Sequence, residues 1–210
     1  PDDLLDELEK FLDQVTPFPL KQAREIIEQQ FGVPVAQAFL SFDDQVLASA
    51  SIAQVYKAEL HDGQKVVVKI VRPDIEKRIR QDTELLTMLA ELFDRYSAES
   101  SRIKPKQIVA EFEKTLINEL DLVREAANAS ELRRNFEGSN DLYVPEVYWD
   151  YCKPKVLVIE RIEGIPVSDI KQLNAHNINL EVLSRKGVEV FFTQVYRHNY
   201  FHADMHPGNI

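Results

Sequence analysis

The sequence predicts an α+β fold, and three observations carry that reading. Apolar residues recur at helical spacing near the start of the chain and again towards its end. Between Gln45 and Val71 the pattern changes to short β-branched runs joined by an Asp-Gly turn signal. A second strand pair, Tyr143 to Trp149 and Val156 to Glu160, follows only after further helical segments. The expected order is helices, a mostly antiparallel sheet with helices inserted in it, and a helix leading into a polar terminal loop.

Taken in order, Leu4, Leu5, Leu8, Phe11, Leu12 and Val15 mark a first helix, ended by Pro17 and Pro19. A second helix is expected from about Leu20 to Phe31, stopped by Gly32 and Pro34, with a helical turn from Val35 to Leu40. Gln45 to Leu47 and Gln54 to Leu60 read as strands, and His61-Asp62-Gly63-Gln64 as the hairpin turn that follows. Lys65 to Val71 is a β-branched strand interrupted by one charge, Lys69, and broken by Arg72-Pro73-Asp74. Asp74 is expected to cap a helix from Ile75 to about Tyr96, with Ile75, Ile79, Leu85, Leu86, Leu89 and Phe93 on its apolar side. After a polar loop from Ser97 to Lys104, Pro105 suits the first turn of a helix to about Leu116. The next helix spans about Leu120 to Phe136 and ends at Gly138-Ser139-Asn140. Lys153-Pro154 turns between the two later strands, Gly164 and Pro166 mark a crossing, and Leu180 to about His198 is helical.

The bulk properties exclude several classes. With 44% hydrophobic and 29% charged residues the chain has the composition of an ordinary globular protein. A net charge of −10, spread rather than clustered, argues against non-specific nucleic-acid binding. The single cysteine, Cys152, excludes an internal disulfide, fits a reducing compartment and reads as a partly buried thiol beside Tyr151. No apolar run approaches the roughly 18 residues that span a bilayer. Pro1-Asp2-Asp3 has no signal-peptide core, and with Pro1 in place of an initiator Met the sequence is expected to be a piece of a longer protein.

Chemistry is concentrated in three places. Phe201-His-Ala-Asp-Met-His-Pro-Gly-Asn209 places Asp204 two residues after a His and Asn209 five residues beyond the acid. That is the layout of a kinase catalytic loop, in which the Asp accepts a hydroxyl proton and the Asn holds magnesium. The rival reading, a metal held by His202, Asp204 and His206, leaves Asn209 unexplained. Lys69 in Val-Val-Val-Lys is costly if buried unpaired, and its bland alternative is a surface lysine on an edge strand. Upstream, Ala48, Ala50, Ala53 and Val55 fill the positions of a G-x-G-x-x-G-x-V phosphate loop, with every Gly replaced by Ala. Alanine allows close backbone approach but disfavours positive φ, so this loop is expected to be stiff. A lysine facing phosphate needs a carboxylate to orient it. Asp121 and Glu125, four apart, are expected on one helical face, and Glu125, followed by Ala126 and Ala127, is the expected partner. Glu119 and Asp121 form a second acidic pair, with a solvated helix face as the alternative for each of these acids.

Together these residues resemble the UbiB/ADCK family of atypical protein-kinase-like proteins. The motifs that carry the resemblance are Ala48-Ser49-Ala50-Ser51-Ile52-Ala53-Gln54-Val55, Val68-Lys69, Glu119-x-Asp121, Arg124-Glu125-Ala126-Ala127 and His202 to Asn209. Glu113 to Ile117, Leu132 to Glu137 and Gly164 to Asp169 are similar to the bacterial branch, and the match covers almost the whole chain. The resemblance implies a two-lobed protein-kinase-like fold with an N-terminal helical extension (1–40), an N-lobe (41–163) with a helical insertion at about 74–117, and the start of a C-lobe (164–210). It implies ATP and Mg²⁺ binding, with Ala48, Ser49, Ala50, Ser51, Ile52, Ala53 and Val55 covering the nucleotide and Lys69 on its phosphates with Glu125 as partner. Asp204 would be the catalytic acid/base, Asn209 a metal ligand, and Glu160 to Ile162 the hinge beside adenine.

The same resemblance implies a role in ubiquinone biosynthesis, with a lipid or quinone precursor and the proteins of that pathway as partners. The parent would lie at the cytoplasmic face of a bacterial inner membrane, held by a C-terminal region absent here, and this piece would be soluble or peripheral. The family's Lys-x-Gly-Gln motif and the Asp-x-Gly expected after Asn209 have no counterpart in these residues. The piece alone is therefore expected not to transfer phosphoryl groups. Two function classes remain open: a kinase-like ATPase or small-molecule kinase, and a non-catalytic ATP-responsive module that presents lipid precursors.

Overall fold

The computed structural model describes residues 16–96 and 100–200. The expected first helix, Leu4 to Val15, and the loop from Phe201 to Asn209 lie outside the described residues. Helices α1 (Leu20–Phe31) and α2 (Val35–Ala38) precede strands β1 (Ser41–Ser49), β2 (Ala53–Glu59) and β3 (Lys65–Val71). Helices α3 (Ile75–Tyr96), α4 (Ser100–Ile103), α5 (Pro105–Glu119) and α6 (Leu122–Asn135) follow. Strand β4 (Val156–Glu160) and helices α7 (Ile170–Ala175) and α8 (Leu180–Phe192) complete the described chain. The fold is the mixed α and β architecture expected. Backbone contacts divide the described residues into two compact units, those up to 126 together with 148–159, and 127–147 together with those from 160 to 200.

The first unit is built on a sheet of order β1-β2-β3-β4, with β1–β2 and β2–β3 antiparallel. The β2–β3 turn forms where Asp62-Gly63 predicts it. Gly63 takes φ +86° and its N–H donates to Leu60 O, while the Asp62 carboxylate accepts from Gln64 N. Strand alternation separates two faces. Tyr56, Ala58, Val66, Val68 and Ile70 point into a core shared with Ala23, Ile27, Val35, Ala38 and Phe39 of the helical segment. Burying each of the Val and Ile side chains among these contributes roughly 1.5–3 kcal/mol. Helices α1 and α2 therefore pack on the face opposite Lys69. The C-terminus of α1 is closed by Gly32 at φ +72°, whose N–H donates to Glu28 O at 2.8 Å.

The insertion is a helix pair in which α3 packs along α5, tied by Arg80–Glu113 and Lys106–Glu91 ion pairs of 3.2 Å each. Its buried stripe on α3 is Ile79, Thr83 and Ala90. Of the expected apolar side Ile79 is buried, but Leu85, Leu86, Leu89 and Phe93 are exposed among the described residues, and Thr83 and Ala90 are buried in their place. Asp74 does not cap α3 through its side chain. It sits at φ +59°, a left-handed conformation Asp tolerates, and its carbonyl accepts from Arg78 N.

In the second unit, Asp169 caps α7 by accepting from Gln172 N, and Asn179 caps α8 by accepting from Glu181 N and Val182 N. Helix α8 runs to Phe192 and continues as a π-helix over Thr193–Arg197 with its C-cap at His198, so the segment is helical over the range expected. Val188, Phe191 and Phe192 are exposed, and Phe192 stacks on Tyr196. The expected strand from Tyr143 to Trp149 forms only in part: Tyr148 N donates to Val158 O at 3.0 Å and Glu160 N to Glu146 O at 2.8 Å, so Glu146 to Tyr148 pair with β4. Pro145 lacks an N–H for a ladder, Arg133 takes the carbonyl of Val144, and Trp149–Tyr151 close into a 3₁₀ turn.

Candidate active site

Cross-strand register places Ala48 opposite Val55 and Val55 opposite Lys69. Paired residues share a face, so a small, a branched and a charged side chain form one row across three strands. Above the end of this row, Lys69 Nζ donates to both carboxylate oxygens of Glu125 at 2.8 Å each. Their side chains are 33% and 45% exposed, so the pair stands at the surface of the unit rather than in its core.

Glu125 is placed by the start of α6. Leu122 N donates to Pro154 O at 2.9 Å, and Leu122 and Ala126 are buried. Ala127, expected to help close packing, is exposed. Asp121 does not share a helical face with Glu125, because α6 begins after it. Its carboxylate accepts from Val123 N at 3.1 Å and caps the helix instead. Glu119 is the last residue of α5 and is exposed.

The alanine loop is the β1–β2 hairpin. Ala48 and Ser49 lie in β1, Ala53 and Val55 in β2, and Ala50 N donates to Ala53 O at 2.9 Å across the tip. Ala48, Ala50 and Ser51 are exposed, Ser49, Ile52 and Val55 half-buried, and Ala53 buried. None of these alanines takes a positive φ. Alanine in every glycine position is therefore accommodated without strain, as the sterics of Cβ require.

Sequence alone gives no role to two groups beside the loop. Arg72, which reads only as a strand breaker, extends its guanidinium to Ser49 and Ala50. Gln54 is fully buried, accepting from Phe18 N and donating to Phe18 O and Tyr56 Oη. A polar residue flanked by Ala53 and Val55 in a core strand is the signal that would have marked it.

Glu160 ends β4 and belongs to a separate network in the second unit. Its carboxylate accepts from Tyr143 Oη at 2.6 Å to each oxygen and from Glu146 N at 3.0 Å. Arg133 lies 3.8 Å from the same carboxylate. Burial pushes the Glu160 carboxyl up, but the Tyr143, Glu146 and Arg133 interactions together bring it below the ordinary glutamate value. Its side chain is thus occupied, and its main-chain N–H donates to Glu146 O at 2.8 Å. Ile162 is exposed. Asp204 and Asn209 lie outside the described residues. Among the described residues no group of three His, Cys, Asp or Glu is arranged to hold a metal. Cys152 is buried, with its thiol donating to Tyr148 O, and burial raises its pKa.

An antiparallel sheet with a small-residue hairpin, and a strand lysine held by a helix glutamate, is the arrangement of a kinase-like N-terminal lobe. The chain belongs to the family of the ABC1 atypical kinase-like domain, which matches residues 10–210. It is 54% identical over all 210 residues to a probable protein kinase UbiB of Pseudomonas paraeruginosa and covers 39% of that protein. Identity is 55% to the Pseudomonas putida relative, of which it covers 39%, and 53% to that of Marinobacter nauticus, of which it covers 38%. The chain thus spans about 39% of the length of these curated relatives. Among solved structures it is similar to Rv3197 of Mycobacterium tuberculosis, determined as a complex with erythromycin. The TM-score is 0.76 at 29% identity, over 100% of this chain and 52% of that one.

Proposed function

We propose that this chain is the nucleotide-binding part of an atypical kinase-like ATPase or small-molecule kinase that supports ubiquinone biosynthesis. The observation that carries the proposal is the Lys69–Glu125 pair at the end of the Ala48–Val55–Lys69 row. In this reading Glu125 holds the Lys69 ammonium in one orientation, so that it meets phosphate oxygens without first being ordered. Ala48, Ser49, Ala50, Ser51, Ile52 and Ala53 lie over the nucleotide, their short side chains allowing close main-chain approach. Asp204 as acid/base and Asn209 as metal ligand rest on sequence spacing alone. Mg²⁺ bound with ATP would neutralise charge on the phosphates.

The pathway assignment rests on relatives named UbiB, and a lipid or quinone precursor is the proposed acceptor or effector. No described helix is long and apolar enough to cross a membrane. Membrane association and pathway proteins as partners belong to the proposal for the parent protein. The test is ATP turnover by the full-length protein with and without a quinone-like phenol and lipid vesicles. Stimulated turnover with no labelled protein supports the proposal. Nucleotide binding without turnover would favour a non-catalytic, ATP-responsive lipid-presenting module.

A further inference from the structure

We infer that Arg72 is the positioning residue of the alanine loop, fastening the hairpin tip to the segment Thr16–Phe18 and thereby setting the nucleotide affinity of the site. The inference rests on the nucleotide reading above and names a control element of that site.

The main chain of the loop supplies few of the contacts that hold its tip in place. Its alanines stay out of left-handed conformations, and the hairpin tip is closed by one main-chain hydrogen bond, Ala50 N to Ala53 O. The remaining fixation comes from Arg72. Its main-chain N–H donates to Ile52 O at 2.9 Å. Its Nε donates to Ala50 O at 2.8 Å and its Nη2 to Ser49 Oγ at 2.7 Å. Its Nη1 reaches the other way, to Thr16 O at 3.1 Å, and the guanidinium lies 5.7 Å from the centre of the Phe18 ring. One planar fork therefore joins three acceptors on two segments, a geometry an ammonium group cannot reproduce.

The second segment is itself anchored. Phe18 N and O both bond the fully buried side chain of Gln54, in the strand that leaves the loop. Arg72 also stands three residues after Lys69, immediately past the end of the same strand. The position of the loop over Lys69 thus passes through Arg72, while Arg72 itself lies beside the loop rather than in the Ala48–Val55–Lys69 row.

The test uses the full-length protein as wild type, Arg72→Gln and Arg72→Lys. Amide hydrogen exchange is followed at Ala50, with the β2–β3 ladder as internal control, and Mg-ADP affinity is measured by calorimetry. Arg72→Gln is expected to speed exchange at Ala50 about tenfold with the ladder unchanged, and to raise Kd about tenfold. Arg72→Lys should fall between, and it carries the test if Arg72→Gln does not fold. Unchanged Ala50 exchange, or faster exchange with unchanged Kd, overturns the role of Arg72. Wild-type protein that binds no Mg-ADP overturns the nucleotide reading instead.

Discussion

Lys69 and Glu125 are 56 positions apart in the chain, yet both carboxylate oxygens of Glu125 lie 2.8 Å from the Lys69 ammonium. The intervening residues are taken up by the α3–α5 insertion, and the Leu122–Pro154 hydrogen bond sets the start of the returning helix. An ion pair this exposed contributes only about 0.2–1 kcal/mol. Its geometry is therefore better accounted for by orientation of the lysine than by stability.

Glu125→Gln and Lys69→Ala should each change the free energy of urea unfolding by less than about 1 kcal/mol. A substantially larger loss in either would make the pair a structural device.

Gln54→Ala should be far more costly. It leaves the buried Phe18 N–H and Tyr56 hydroxyl without their partner and opens a cavity, for a loss of about 2–4 kcal/mol. Urea denaturation measures it, and a loss below that of the Glu125→Gln variant would contradict the buried network.

Glu160 gives a pH dependence with a definite sign. Its folded-state value is depressed, so its contribution is fully present above the unfolded glutamate value and is lost as pH falls through the lower, folded one. From about pH 4.5 downwards, wild type should lose more stability than Glu160→Gln, which has no such proton to bind. Urea midpoints measured from neutral to acid pH check this, and parallel curves would count against the Tyr143–Glu160 network.

Cys152 should react slowly with a neutral thiol reagent in the native protein and rapidly in denaturant. Burial both blocks access and raises its pKa, which reduces the reactive thiolate. Equal rates in the two states would contradict the buried position.

Much of the site was legible because its signals are local. Asp62-Gly63 specifies the hairpin, β-branched residues frame Lys69, and Glu125 stands before a residue small enough to be buried, Ala126. What was not legible depends on competition between partners. Tyr143 to Trp149 has the composition of a strand, and Glu146 to Tyr148 do pair with β4, but Pro145 lacks an N–H and the side chains of Arg133 and Glu160 take the Val144 carbonyl and the Glu146 N–H. Asp121 reads as a helix-face acid, yet capping holds it outside the helix. Leu85, Leu86, Leu89 and Phe93 form a periodic stripe, but periodicity does not say which helix covers it. Arg72 before a proline marks the end of a strand, and nothing local reveals that its side chain turns back to the preceding hairpin.

The central claim is that Lys69, held by Glu125, serves a bound nucleotide. The most direct measurement is thermal unfolding of the full-length protein, wild type and Lys69→Ala, with and without Mg-ATP or Mg-ADP. At a hundredfold excess over Kd, wild type should gain about 2.7 kcal/mol, and Lys69→Ala should lose most of that gain. No stabilisation of folded wild type, or an equal gain in the variant, would contradict the account.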